Sequence, residues 1–361
     1  MVIRDIVVRQ LKLPLLKPYR VSFRTYTEFE PVVIEMVAGD GSLGWGEAYV
    51  PAGSTLETTE TAWQFCCGQA ARLVGKSAQD IHAIIDREVP QAPFASCAML
   101  SALAMVTRHP ALVVREEAHI PLLVPVSATA RSAIASEVEE RLVQGYRTFK
   151  VKVGWEVDAD LQRVRWVQEA LHGRAVLTMD ANRGYNLEQG MRFASSLEPE
   201  GIVLFEQPCE ADEWDANAQV ARVSKVPLML DESIRNERDI DRAATVEGVE
   251  FVKLKLKRVG GVDRALAAMR RARELGLGVC LGDGVATEIM CWTEACVSRG
   301  FLSGAGDMNG FLKPAARLFA NPLPFEKGGI VLKSGYWPEI DRGVIGRHLT
   351  REARYSAAVT A

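Results

Sequence analysis

The central part of this 361-residue chain repeats ionisable side chains at one interval. Lys150 and Lys152 come first, then Asp180 with Asn182, Glu206 and Asp231. Lys253, Lys255 and Lys257 follow, then Asp283, and then Asp307 with Asn309. Successive groups stand roughly 24 to 28 residues apart. Three carboxylates recurring on one interval make a dense anionic set, and like charges held together raise one another's pKa unless a counter-charge intervenes. A hard divalent cation meets that need, and an all-oxygen donor set with open positions suits Mg2+. Zinc is not indicated, because no H-E-x-x-H or Cys/His spacing occurs and the five histidines are scattered.

The lysines pose the complementary problem. In "FKVKVG" side chains two apart share a strand face, so Lys150 and Lys152 point together, opposite Phe149, Val151 and Val153. Two ammonium groups aimed at one place mean either that the face is wet or that something there compensates the charge. Each ammonium disfavours the other's charge, so Lys150 beside Lys152 is expected to favour a neutral amine base.

The interval is that of one strand-plus-helix unit. Short apolar runs (LLVPVSA, RTFKVKV, AVLTMDA, GIVLFEQP, VPLMLDES, EFVKLKLK, GVCLGDG and FLSGAGDMNG) alternate with helix-like stretches. About eight such units predict a (β/α)8-type TIM barrel, in which the C-terminal strand ends build the active site. A tetrapeptide such as "MDAN" or "LDES" alone reads as a strand end before a helix cap. Five consecutive strands ending in ionisable groups at matching spacing read as a site. Ahead of the barrel the pattern is α+β. MVIRDIVVRQLKLPL alternates and stops at Pro14, a strand–turn–strand covers Val32–Ala48, and residues 58 to about 109 are helical with Thr55 or Ser54 as cap. We expect an N-terminal α+β capping domain (1–120), a catalytic barrel (121–322) and a C-terminal segment (323–361) that packs back on the first domain and completes it.

Composition sets bounds on partners. Nearly half the residues are hydrophobic and the net charge is −3 without long charge runs, so no nucleic-acid footprint is present. Seven cysteines without a C-x-x-C pair and the start at MVIRDIVVRQ predict a reducing, cytoplasmic setting. No membrane span is expected. Gly68…Gly75-Lys76-Ser77 has six residues between its glycines where a phosphate loop has four.

In combination, "KPYRVSF", "GWGEA", "KVKVG", "MDAN", "FEQP", "LDES", "KLKLKRVGG" and "EIDRGV" resemble the enolase superfamily, in its muconate-lactonizing-enzyme-like subgroup. The resemblance spans nearly the whole chain. It implies that Asp180, Glu206 and Asp231 bind Mg2+, and that Lys152 is an acid/base on one face of a small carboxylate substrate with Lys255 opposite. Lys150 would support Lys152. Capping-domain loops would cover the substrate, here Pro18–Phe29 with Tyr19 and Arg24. Asp283, Asp307, Asn309 and Asn182 complete the candidate substrate contacts. Dipeptide epimerases of the subgroup carry Asp-x-Asp where this chain has Asp307-Met308-Asn309, which departs from a dipeptide substrate.

The implied chemistry is removal of the proton α to a carboxylate through an enediolate, with racemisation or epimerisation as the outcome. Asp307 and Asp283 facing a cationic nitrogen point to an amino-acid or proline derivative. The same constellation serves a dehydratase (hydroxyproline-type) or a cycloisomerase. A Schiff-base aldolase would explain the lysines but leave the acidic trio without a task; a non-catalytic binding protein would not need every position filled. Homo-oligomerisation is implied by resemblance only.

Overall fold

The computed structural model describes residues 1–21, 24–51 and 55–358. The barrel is built from seven parallel strands in sequential order, its first to seventh: Val124–Val126, Thr148–Lys152, Val176–Asp180, Ile202–Glu206, Leu228–Leu230, Val249–Leu254 and Gly278–Leu281. The eighth unit is a single bridge, Leu122↔Gly306, and not a strand. Backbone bonds close the ring there: Asp307 N donates to Leu281 O (2.9 Å), and Gly306 N to Pro121 O (2.8 Å). Leu123 N returns a bond to Gly306 O (3.0 Å). "FLSGAGDMNG" cannot sustain a longer ladder, because its glycines add conformational freedom and no side chain to pack.

Register matters more than strand length in placing the ionisable residues. Lys152 pairs with Asp180 across the second and third strands, and Asp180 with Glu206 across the third and fourth. Buried Phe149, Val151, Val153, Leu177, Met179 and Phe205 fill the apolar layer. The ionisable partners therefore stand at one height at the strand ends.

The N-terminal region holds a four-stranded antiparallel sheet in which Ile3–Leu11 lies between Val32–Ala38 and Leu349–Ser356, with Leu43–Ala48 on the outer side. Three helices, Thr59–Leu73, Ala78–Glu88 and Pro93–Val106, cover it. The cap of the first is Thr58 and not Thr55; Ser54, the other expected cap, lies outside the described residues. The Thr58 hydroxyl accepts from Thr61 N (3.1 Å) while Thr61 Oγ1 accepts from Thr58 N (2.8 Å), a reciprocal box that Thr55 stands too early to form. Pro14 does not end a strand. It lies within Leu13–Val21, which pairs with Arg24–Phe29 and makes a single bridge from Leu15 to Pro314 on its other side, and a ribbon so sparsely paired tolerates a missing N–H.

The C-terminal segment divides. Gly329–Leu332 pairs with Ala118–Pro121, at the end of the N-terminal region just before the barrel. Leu349–Ser356 alone reaches the N-terminal sheet, aligning Asp5 with Ser356. Gly260 and Gly261 mark another meeting of the two regions: at φ 95° and 134° both are left-handed, and a Cβ on Gly260 would lie 2.3 Å from Val89 Cγ1 of the N-terminal region. Among the described residues no helix is long and apolar enough to cross a membrane.

Candidate active site

Lys150 and Lys152 do face one place, and both reach the same atom. Lys152 Nζ lies 2.6 Å from Asp180 Oδ2 and Lys150 Nζ 2.8 Å from it. Lys150 also meets Glu206 Oε2 (2.7 Å) and Asp307 Oδ2 (3.1 Å). Burial pulls the Lys150 amine down, but Asp180, Asp307 and Glu206 together more than reverse this and hold it well above the ordinary lysine range. Lys150 is a fixed counter-charge to these three carboxylates. Its side chain is 3% exposed, against 13% for Lys152, so Lys152 is the one that opens to the mouth.

The sixth strand ends one residue sooner than its lysine pattern suggests. After Leu254 the chain turns at Lys255 into a short helix, Leu256–Val259, so the three lysines part company. Lys253 points inward to Glu206 Oε1 (3.0 Å) and Asp307. Lys255 reaches Asp231 Oδ2 at 2.8 Å with 14% of its side chain exposed. Lys257 pairs with Asp283 Oδ2 (2.9 Å) and donates to Val285 O (3.0 Å). Arg258 clamps the other side of Asp231, at 2.8 Å to Oδ1 and 2.6 Å to the backbone carbonyl.

The three carboxylates behave differently under these charges. Burial works against each. For Asp180, Lys150 and Lys152 outweigh it and hold the carboxyl below its usual range. For Asp231, Lys255 and Arg258 do the same. Glu206 is pushed up to about 7 by burial and the Asp180 charge, against Lys150 and Lys253. All-oxygen donors on three adjacent strand ends have the chemistry a hard cation requires. The neighbouring Glu232 Oε2 is buried without a hydrogen-bond partner. Among the described residues, however, no three His, Cys, Asp or Glu side chains converge closely enough to hold a metal ion. The carboxylates close on lysine ammonium groups instead.

The remaining expected residues fall into two groups. Asn182 belongs to the cluster: its Oδ1 accepts from Lys152 Nζ (2.6 Å) and its Nδ2 donates to Glu232 Oε1 (3.2 Å). It takes a left-handed φ of 41°, a conformation non-glycine residues adopt at a cost and which clusters at functional sites. Asp307 and Asp283, expected to face a substrate nitrogen, are already neutralised, the first by Lys150 and Lys253 and the second by Lys257. Asn309 donates to Asp307 Oδ1 (3.0 Å) and Leu123 O (3.3 Å). Tyr19, on the hairpin, lies over the end of the eighth unit with its ring centroid 4.5 Å from Lys313 Nζ. The side chain of Arg24 lies outside the described residues.

Sequence reasoning passed over Lys313, Glu47 and Glu294. Glu47, from "GWGEA", accepts from Thr287 N (2.8 Å) and Met290 N (3.2 Å) and so caps the helix Glu288–Ser298 that follows the seventh strand. No spacing signal links residues 240 positions apart, and only the fold joins them.

A parallel barrel that gathers carboxylates on adjacent strand ends, flanked by lysines from the second and sixth strands, defines an enolase-type catalytic barrel. Residues 133–336 match the family model described as "Enolase C-terminal domain-like", more than half the chain. The chain belongs to that family, within the mandelate racemase/muconate lactonizing enzyme group of the enolase superfamily. It is 27% identical over 294 residues to an L-Ala-D/L-Glu epimerase of Clostridium acetobutylicum (78% of this chain, 82% of the relative). It is 25% identical over 291 residues to an N-succinyl-L-Arg/Lys racemase of Bacillus cereus (77% and 79%). The crystal structure of a dipeptide epimerase from Cytophaga hutchinsonii, complexed with Mg and the dipeptide D-Ala-L-Val, shares the fold. Its TM-score is 0.87 at 21% identity, covering 98% of this chain and 100% of that one.

Proposed function

We propose that this protein is a Mg2+-dependent racemase or epimerase that inverts the carbon α to a carboxylate in an amino-acid derivative. The observation that carries this reading is the flanking of Glu206 by two aspartates, each tied to its own partly exposed lysine: Lys152 on Asp180 and Lys255 on Asp231. Epimerases and racemases of amino-acid derivatives among the relatives support the reaction class, and the Mg in the Cytophaga structure supports the metal. A divalent cation taken up by Asp180, Glu206 and Asp231, in place of some of the lysine contacts these carboxylates make, would supply charge stabilisation to the enolised carboxylate.

The chain's own residues do the proton work. Lys152, from the second strand, takes the α-proton on one face, and Lys255, just past the end of the sixth, returns one on the other; the roles exchange for the opposite enantiomer. Lys150 and Arg258 stay charged and keep the aspartates ionised. Asn182 steers Lys152 by accepting from its ammonium. The hairpin carrying Tyr19 covers the mouth and keeps water from the carbanionic intermediate.

Proton NMR in D2O with Mg2+, using pooled N-acyl amino acids and dipeptides with an EDTA control, tests the reading. Metal-dependent loss of an α-proton signal with a change of optical rotation supports inversion. Exchange that yields a vinylic or keto product replaces it with elimination. Catalysis that persists in EDTA refutes it.

A further inference from the structure

Lys313 differs from the cations of the cluster described above. Lys150, Lys152, Lys253, Lys255, Lys257 and Arg258 each have a carboxylate oxygen within 3.0 Å. Lys313 meets only neutral groups among the described residues. It donates to Gly284 O at 2.7 Å and Asn309 Oδ1 at 2.5 Å, and lies over the face of Tyr19. Burial disfavours its charge, and Asp307 and Asp283, which lie near it without touching it, offset that only in part.

Asn309 explains why the deficit persists. Both N–H groups of its amide are engaged, one by Asp307 Oδ1 and one by Leu123 O, so its oxygen must face Lys313. A carboxylate at position 309 would neutralise Lys313 but would press a second negative charge against Asp307. The amide removes that repulsion and leaves the ammonium with no carboxylate in direct contact among the described residues. Lys313 is also connected to the cluster: Lys313 to Asn309, Asn309 to Asp307, and Asp307 to Lys150 at 3.1 Å. It thus stands beside the cluster, with the Tyr19 ring over it, at the end of the barrel that the proposed function gives to the substrate. Gly284 keeps the space tight: a Cβ there would lie 3.0 Å from the Tyr19 hydroxyl and 3.4 Å from Lys313 Nζ.

We infer that Lys313 is a specificity residue that receives a second carboxylate of the substrate, so that the preferred amino-acid derivative is anionic, not cationic, at its distal end. This rests on the proposed function for the reaction, and not for the charge preference. The second carboxylate sits either at the end of an N-acyl arm or on the side chain. Both present the same group to Lys313, through a charge-assisted hydrogen bond.

Calorimetric binding with Mg2+ and α-proton exchange are measured for two matched pairs: N-succinyl- against N-butanoyl-phenylalanine, and N-acetylglutamate against N-acetylglutamine. The wild type should prefer the anionic member of at least one pair by about 10- to 100-fold in Kd and KM. The pair that responds locates the carboxylate on the arm or on the side chain. Lys313→Met should abolish the preference by weakening the anionic member at least tenfold relative to the neutral one, and Asn309→Asp should reduce it. Lys313→Met should also raise the melting temperature, since an isosteric apolar group replaces an uncompensated charge; a purely structural lysine would instead lower it. Equal affinity within both pairs, no binding of any of the four, or a preference that survives Lys313→Met and Lys313→Gln overturns the inference. Proton exchange on the neutral members without charge preference overturns it while leaving the proposed reaction intact. Ligand binding with the predicted preference but no exchange supports it while removing the reaction.

Discussion

Asp180 and Asp231 flank Glu206 and look alike at first. Each has a deep cation and a partly exposed lysine, Lys150 and Lys152 on one side, Arg258 and Lys255 on the other. The deep cations differ in reach. Lys150 is shared among Asp180, Glu206 and Asp307, whereas Arg258 serves Asp231 and the backbone beside it, including Ile234 O at 3.3 Å. The shallow lysines differ in tether: Lys152 is held by Asp180 and by the Asn182 amide, while Lys255 has Asp231 as its ion partner. The two flanks therefore balance in charge but not in connectivity. A lesion on the Asp180 side should spread through the barrel, and one on the Asp231 side should stay local.

The largest effects test the shared part of the comparison. Lys152→Ala and Lys255→Ala should each lower inversion by about 10^3-fold or more, with each variant still exchanging the α-proton of one enantiomer only. Deuterium incorporation from separate enantiomers reads this, and loss of exchange from both in either variant would break the pairing of bases. Asp180→Asn and Asp231→Asn should both abolish Mg2+-dependent exchange, with Mg2+ titration heats reduced to background while circular dichroism shows an intact fold.

Stability measurements test the difference. Arg258→Met leaves Asp231 with one cation and should cost roughly 3–5 kcal/mol in urea unfolding, the usual loss for a broken buried pair. Lys150→Met undercuts three carboxylates at once and should cost more. The reverse order would mean that charge at this mouth is not distributed as the contacts indicate. A smaller effect isolates the tether: Asn182→Gly keeps the left-handed backbone but removes the bond to Lys152, so exchange of one enantiomer should slow by roughly tenfold with the other unchanged.

The smallest expected effect lies outside both flanks. Glu294, fully buried on the helix Glu288–Ser298, is pushed up to about 8 by burial and by Asp283. Its folded pKa is raised above the unfolded value of about 4.3, so the fold binds its proton more tightly. The stability this contributes is present below about pH 4 and is lost as pH climbs towards 8. Glu294→Gln removes the titration, so the variant should gain on the wild type progressively between pH 5 and 8 in urea melts. Parallel curves for the two proteins would place the Glu294 proton elsewhere.

Much of the barrel and its acidic set is legible in the order of residues. Strand ends recur because a βα unit has a set length, so the interval between Asp180, Glu206 and Asp231 reports their common height. What escapes is decided by a single turn or by distant packing. Alternation predicts one face for Lys253, Lys255 and Lys257, but the strand stops at Leu254 and helical geometry sends the three to different carboxylates. Residue types suggest that Asp307 and Asp283 face a substrate, yet type alone does not say that Lys253 and Lys257 reach them first. Lys313 is a lone lysine in a loop, and its meaning depends on how Asn309 orients its amide.

The pairing of Ile3–Leu11 with Leu349–Ser356 has a consequence for synthesis. The first strand of the N-terminal sheet leaves the ribosome with one neighbour close behind and the other almost the whole chain away. At about 5–20 residues per second that wait lasts tens of seconds. Throughout it, one edge of Ile3–Leu11 is open to any passing strand. The barrel must be finished before the sheet can be, so the last eight-residue strand acts as a seal on the product. Chains truncated before Leu349 should aggregate even though every residue of the acidic and basic cluster is present.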